Sequence, residues 1–203
     1  MFANILIALS DFVINIISHT GYTGVVLLMA VESANIPLPS EVIMPFSGFL
    51  VASGQLNLWL VAIAGAFGCL LGSILSYWIG ATGGRALVEK YGKFILINHH
   101  DLKQADKWFA RWGDEAVFIA RLLPVIRTFI SFPAGISRMN FKKFAIYSFL
   151  GSLPWTYALA YLGVKMGSRW ENLKDYFHKF DLLIGIVIIA FLVYWVRRHF
   201  KKN

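Results

Sequence analysis

A run of 23 uncharged residues, Leu58 to Gly80, most constrains how this chain can fold. A helix of that length crosses roughly 30 Å of hydrocarbon. The rest of the chain is also apolar, since 58% of its 203 residues are hydrophobic and only 15% are charged. A globule of this size could not hide that much apolar surface from water. The sequence therefore predicts an integral membrane protein, with residues 1–203 forming a single membrane domain.

The basic residues are confined to the second part of the chain. All 19 lysines and arginines lie from Arg85 onward, whereas the first 84 residues carry only Asp11, Glu32 and Glu41 as formal charges. A nucleic-acid-binding protein would place basic and aromatic residues on a soluble face. Here the basic residues flank apolar segments, which is the positive-inside pattern. This pattern argues against a nucleic-acid partner and predicts a cytoplasmic C-terminus.

Two further apolar segments are interrupted by charges and prolines. A continuous spanning helix does not survive several internal prolines, so each segment is expected to be a re-entrant pair of half-helices. Such a hairpin is tolerated at membrane depth only where protein or a water-filled cavity surrounds it. The positions expected to break the helices are Pro37, Pro39, Pro45 and Gly48 in the first segment, and Pro124, Pro133 and Gly135 in the second.

A weak internal repeat relates the two segments. Shifting the chain by 83 positions aligns Asn57 with Asn140, Gly68 with Gly151 and Gly80 with Gly163, among seven identities in 28 positions. Each unit would combine one hairpin with one span, so that consecutive units have opposite orientation, as in secondary transporters. The predicted fold is an all-α membrane protein with an inverted repeat. Its parts are repeat 1 at about 21–84, repeat 2 at about 115–167 and an additional C-terminal helix at about 182–196.

The spans and loops follow from this pattern. The spans are expected at 58–80 and 144–164, and their hairpin tips should meet near the bilayer midplane. The polar stretch 83–114 should lie inside the cell and 165–181 outside, while residues 4–17 should form an interfacial or partly inserted helix.

Glu32 and Glu41 flank the expected tip of the first hairpin. A carboxylate at membrane depth is costly to keep ionised, so both residues are candidate proton carriers. The alternative is that one of them sits at headgroup level and is simply solvated.

Arg121 and Arg127 interrupt the second hairpin. A guanidinium cannot lose its charge, and placing one mid-helix costs at least about 2.5–3.5 kcal/mol. Compensating anions could come from the glutamates, from a phosphate ligand, or from each in turn. The planar donor fork of arginine suits phosphate oxygens, whereas the alternative is a structural Arg–Glu clamp. Thr128 and Ser131 could add hydrogen bonds to a phosphate, or could bond their own backbone.

Other candidate sites are weak. His99-His100-Asp101 resembles a metal-binding cluster, but adjacent histidines in a polar loop are usually solvated, so neither a metal nor a cofactor is expected. Five tryptophans are expected to anchor spans at the membrane interface rather than to form a stacking platform: Trp59, Trp78, Trp155, Trp170 and Trp195. A lipid phosphatase would need a nucleophile or a metal, and the hairpins carry no His, Cys or clustered Asp, which argues against an enzyme. A small-ion transporter or a membrane assembly factor would leave the two arginines unexplained.

Two stretches of the chain resemble a known family. Residues 32–48 (ESANIPLPSEVIMPFSG), residues 120–139 (ARLLPVIRTFISFPAGISRM) and Phe144 are similar to the DedA family, also called SNARE-associated or VTT-domain proteins. The resemblance covers roughly residues 20–167. It implies that the functional residues are Glu32, Glu41, Arg121 and Arg127. The chain departs from the family at Ala120, where relatives often have glycine.

The resemblance also implies a cargo. Bacterial members are implicated in returning undecaprenyl phosphate to the cytoplasmic face, others in redistributing phosphatidylethanolamine, and eukaryotic relatives resemble scramblases. The expected function is therefore proton-coupled movement of a phosphate-bearing lipid, most simply undecaprenyl phosphate, across the bacterial cytoplasmic membrane. A phosphatidylethanolamine or general phospholipid flippase or scramblase is the alternative. The expected partners are membrane lipids and protons. Whether the protein also forms a homo-oligomer is left open by the sequence.

Overall fold

The computed structural model describes residues 2–36, 38–91, 109, 113–123 and 126–167. All the regular structure in these residues is helical, which confirms the all-α class. The described helices are α1 (Phe2–Thr20), α2 (Tyr22–Ser33), α3 (Ser40–Ala52), α4 (Leu58–Tyr91), α5 (Glu115–Arg121), α6 (Ile126–Phe129), α7 (Ser131–Ile136) and α8 (Phe141–Met166). Pro37, Pro124, most of the predicted polar loop and the predicted helix at 182–196 lie outside the described residues.

The two long helices differ in their apolar character. Among the described helices, only α4 has a stretch, Leu58–Gly83, that is long and apolar enough to cross a membrane. The helix continues to Tyr91 and so extends beyond the predicted end at Gly80. Helix α8 also has 26 residues, but tyrosine, serine and threonine lower its mean hydropathy. The expected span at 144–164 is therefore supported by helix length and not by hydropathy.

The helices pack in a reciprocal pattern around α4 and α8, which contact each other. Helices α2 and α7 pack against α4, whereas α3 and α5 pack against α8. The first half-helix of each broken segment thus lies on the long helix that follows it. The second half-helix lies on the long helix of the other segment.

Glycines allow these helices to approach closely. A Cβ atom at Gly48 in α3 would overlap the carbonyl oxygen of Ala160, and one at Gly135 in α7 would overlap that of Tyr77. The reciprocal positions behave alike: Gly163 faces Pro45 and Gly80 faces Phe132. Gly80 and Gly163, 83 residues apart, and Gly48 and Gly135, 87 residues apart, therefore occupy matching places in the packing.

The breaks in the helices are fewer than the prolines predict. In the first segment the break lies between Ser33 and Ser40, with Pro39 at the N-cap of α3. Pro45 and Gly48 lie inside α3, and Pro133 and Gly135 lie inside α7, so the expectation that these four break the helices is corrected. Close packing against α8 and α4 holds these segments helical, because glycine at 48 and 135 removes the side chains that would prevent it.

The ends of equivalent helices share the same capping. The Asn57 side chain accepts hydrogen bonds from the backbone of Trp59 and Leu60 at the start of α4. Asn140 accepts the corresponding bonds from Lys142 and Lys143 at the start of α8. These caps satisfy backbone N–H groups that a helix start otherwise leaves unpaired.

Candidate functional site

Arg127 joins the two broken segments through one buried ion pair. Its Nη2 atom donates to Glu32 Oε1 at 2.7 Å and to Ser40 Oγ at 2.7 Å. Glu32 lies in the last turn of α2 and Ser40 begins α3, so one guanidinium bridges both sides of the first break. The arginine and glutamate side chains are 5% and 10% exposed, which makes this a buried ion pair.

Arg121 is surrounded by hydroxyl groups. Its Nη2 atom donates to Ser73 of α4, to Ser131 of α7 at 2.7 Å and to Ser148 of α8 at 3.4 Å. The residue is 2% exposed, and no carboxylate within the described part of the chain pairs with it. Arg121 is thus a buried cation held by neutral oxygens that come from three helices. We call Arg121, Ser73, Ser131 and Ser148 the serine cage.

The counterpart of the serine cage in the first unit has methionine where the second unit has Arg121. Gly68 of α4 faces Met29, just as Gly151 of α8 faces Arg121. Gly65, which aligns with Ser148, lies against Met44 and Thr156. The two units are therefore alike in backbone packing but differ in polarity, and only the second one holds a buried cation at this place.

The other predicted site residues lie around this centre. Glu41 is exposed in the first turn of α3 and forms no ion pair with Arg127. Thr128 lines a cavity of about 200 Å³ beside Glu32, together with Asn35, Ile36, Leu38 and Phe129. The structure thus brings Glu32, Arg127 and Thr128 together, places Ser131 beside Arg121, and leaves Glu41 apart.

Four site residues escaped the sequence reasoning: Ser40, Ser73, Ser148 and Trp155. Serines in apolar helices usually bond their own backbone, so their residue type gives no signal. The aromatic ring of Trp155 lies 5.0 Å from the Cζ atom of Arg127. This tryptophan lies in the middle of α8 against a buried arginine, away from the ends of the span expected at 144–164.

Within the described residues no group of three His, Cys, Asp or Glu side chains could hold a metal ion. The sequence cluster His99-His100-Asp101 lies outside the described residues.

Comparison with known proteins places the chain in a family. Residues 38–165 match the VTT domain. The chain is 35% identical to undecaprenyl phosphate transporter A of Bacillus subtilis (strain 168), over 86% of its own length and 87% of the relative's. It is 37% identical to the uncharacterized membrane protein YkoX of the same organism, over 98% and 90% of the two chains. It is 26% identical to protein DedA of Escherichia coli (strain K12), over 76% and 70%.

No solved structure matches the chain. The domain match spans α3 to α8, and it includes Arg121 and Arg127. The chain therefore belongs to the DedA family of VTT-domain membrane proteins.

Proposed function

We propose that this protein moves a phosphate-bearing lipid, most simply undecaprenyl phosphate, across the bacterial cytoplasmic membrane. The observation that carries the proposal is a charge imbalance: Arg121 and Arg127 are both buried, and Glu32 is the carboxylate that pairs with either of them in the described residues. A second buried cation needs an anion, because uncompensated buried charge is strongly unfavourable. A lipid phosphate would supply it. The relative named as an undecaprenyl phosphate transporter supports this choice of cargo.

Arg127 has donors to spare for a ligand. Its hydrogen bonds to Glu32 and Ser40 both leave from Nη2. No described residue accepts a hydrogen bond from its Nη1 or Nε atoms. The guanidinium carries five N–H groups in one plane, so it can hold Glu32 and a phosphate oxygen at the same time.

The serine cage suits an anion for a different reason. The hydroxyl oxygens of Ser131 and Ser148 accept from Arg121, so their hydroxyl hydrogens can donate to a phosphate oxygen without a change of fold. The Ser73 hydroxyl already donates to the carbonyl oxygen of Cys69. The corresponding place in the first unit has Met29, Met44 and one hydroxyl, that of Thr156, which donates within the protein. The buried Arg121 of the proposed headgroup site therefore has no counterpart in the first unit.

The proposal includes the architecture expected from the sequence. Helix pairs α2/α3 and α5/α7 would be re-entrant hairpins related as an inverted repeat, with α4 and α8 as spans and the C-terminus in the cytoplasm. The reciprocal packing and the glycine pairs 83 residues apart support this arrangement. The proposed movement breaks no covalent bond, so the protein is proposed as a transporter and not an enzyme.

Proton coupling would act through Glu32. Protonation of its carboxyl group would remove the negative charge that faces Arg127, and would leave that guanidinium to bind the phosphate more strongly. Release of the proton would restore the Arg127–Glu32 pair and favour release of the cargo. Glu41, which is exposed beside the same break, would pass protons between Glu32 and water.

The test is transbilayer movement of lipid in liposomes containing the purified protein. A fluorescent polyprenyl phosphate, a labelled phosphatidylethanolamine and the matching polyprenol would be scored with and without a proton gradient. We expect movement of the phosphate lipid, faster with the gradient, and none of the polyprenol. Movement of phosphatidylethanolamine alone would favour the flippase alternative, and movement of none of the three would refute the proposal.

A further inference from the structure

Trp155 belongs to α8 and lies beside the proposed headgroup site. Its ring faces the guanidinium of Arg127, with 5.0 Å between Cζ and the ring centroid, a distance at which cations are attracted to the aromatic face. This contact reaches the guanidinium from the long helix α8, whereas its hydrogen bonds come from the two sides of the first break. Arg127 is therefore positioned by three elements: α2, α3 and α8.

The indole N–H of Trp155 is buried and finds no acceptor among the described residues. Indole nitrogen can only donate, and buried donors in folded proteins almost always have a partner. The same condition holds for one other buried side-chain atom in the described residues, Nε of Arg121. Both unpaired donors thus belong to residues that touch the proposed site.

Helix α8 brings these two donors to one face. Gly151 packs against Arg121, and Trp155 follows it by four residues, which is one helical turn. The position that aligns with Trp155 in the first unit is Gly72, where the backbone of α2 packs directly on α4. The tryptophan is therefore not required by the packing that the two units share, and it appears only in the unit that holds the buried cation.

We infer that Trp155 is a ligand of the phosphate headgroup, donating its indole N–H to a phosphate oxygen while its ring positions Arg127. The inference rests on the proposed function and assigns a further residue to that site. The headgroup would then be held by a charged fork and a neutral donor.

The first test is binding of a short-chain polyprenyl phosphate, and of the polyprenol without phosphate, to protein in nanodiscs. Trp155→Phe keeps an aromatic face against Arg127 but loses the N–H, so we expect phosphate-lipid binding to weaken roughly ten-fold while polyprenol binding is unchanged. Trp155→Leu should weaken it further. Trp78→Phe is the matched control, because Trp78 is exposed on α4. Equal phosphate affinity for wild type and Trp155→Phe would overturn the inference.

A second measurement does not depend on a folded variant at position 155. The chain has seven tryptophans, whose indole ¹⁵N–¹H resonances can be followed in wild-type protein during a titration with the phosphate lipid. We expect the Trp155 resonance, assigned by selective labelling, to shift with the phosphate lipid and not with the polyprenol. If wild type binds the phosphate lipid and this resonance stays fixed, the inference fails and the proposed function stands. If wild type does not bind the phosphate lipid, the proposed function fails first.

Discussion

At the scale of single residues, the two arginines have different surroundings. Arg127 has a carboxylate partner and an unused donor edge, whereas Arg121 has hydroxyl partners and no described carboxylate. The sequence indicated that each buried guanidinium needs an anion, and it left open whether glutamate or phosphate supplies it. The structure brings one of the two predicted glutamates to one of the two arginines. A structural clamp and a ligand site make different predictions for this pair.

Substituting Arg127 with lysine distinguishes these alternatives. Lysine keeps the charge and can still pair with Glu32, but it loses the planar fork. If Arg127 binds phosphate, Arg127→Lys should lose one charge-assisted hydrogen bond, which costs about 1.5–3 kcal/mol or roughly ten- to a hundred-fold in affinity. Binding of the phosphate lipid measures this loss. Arg138→Lys is the matched control, since Arg138 is exposed after α7.

A purely structural clamp predicts another outcome. Arg127→Lys would then bind the phosphate lipid almost as well as wild type, and exchanging the two residues in an Arg127→Glu, Glu32→Arg double variant would restore part of the transport. That combination would remove Arg127 from the phosphate site.

Glu32→Gln tests the proton-carrier role. The glutamine side-chain oxygen can still accept the hydrogen bond from Arg127, so we expect the variant to insert and accumulate. It cannot exchange a proton, so acceleration of lipid movement by a proton gradient should be lost. Transport in liposomes and a size-exclusion profile measure the two effects, with Glu115→Gln, an exposed position, as control. Gradient-driven transport by Glu32→Gln at the wild-type rate would exclude Glu32 as the carrier.

At the scale of elements, glycine has a packing role that its sequence context hid. Gly48 and Gly135 follow prolines, and the sequence predicts both as helix breakers. Gly48 nevertheless lies inside α3, whose backbone contacts α8, and Gly135 lies inside α7, whose backbone contacts α4. Sequence periodicity predicted the helical class and the start of α4. It could not predict which helix each half-helix packs against, because that depends on contacts between distant residues, such as Tyr77 with Gly135 and Pro45 with Gly163.

Gly48→Ala and Gly135→Ala test this packing role. Each added methyl group meets a backbone carbonyl oxygen, which cannot move without shifting a helix. Overpacking of this kind typically costs about 1–3 kcal/mol. We expect both variants to lower the midpoint of thermal unfolding in detergent, and Ser53→Ala, at an exposed position, to leave it nearly unchanged. Wild-type midpoints for both glycine variants would show that the helices are not closely packed there.

At the scale of the whole molecule, α4 and α8 run in opposite directions. Trp59, near the start of α4, contacts Tyr157 in the second half of α8, with ring centroids 4.7 Å apart. Tyr77, further along α4, stacks on Phe144 near the start of α8, with centroids 4.6 Å apart. Antiparallel long helices are what an inverted pair of units requires. The antiparallel pair agrees with the repeat of seven identities in the sequence, whose inverted orientation stays a prediction.

The orientation of the molecule can be tested at two matched positions. Ser53 follows α3 and Ser137 follows α7; both are exposed, and each donates to the carbonyl oxygen three residues earlier. Their places in the two units correspond within one residue of the 83-residue shift. An inverted repeat puts them on opposite sides of the membrane, and the distribution of basic residues puts Ser53 outside and Ser137 inside.

Cysteine substitution makes this measurable with little disturbance, because serine and cysteine have nearly the same shape. We expect Ser53→Cys to react with a membrane-impermeant maleimide in intact cells, and Ser137→Cys to react only in inverted vesicles. A Cys69→Ala background removes the single native thiol, which is buried in α4. Labelling of both positions from one side would refute the inverted repeat. Labelling of Ser53→Cys from inside and of Ser137→Cys from outside would keep the inverted repeat and overturn the orientation. Glu41, exposed in the first turn of α3, would then take protons from the cytoplasm.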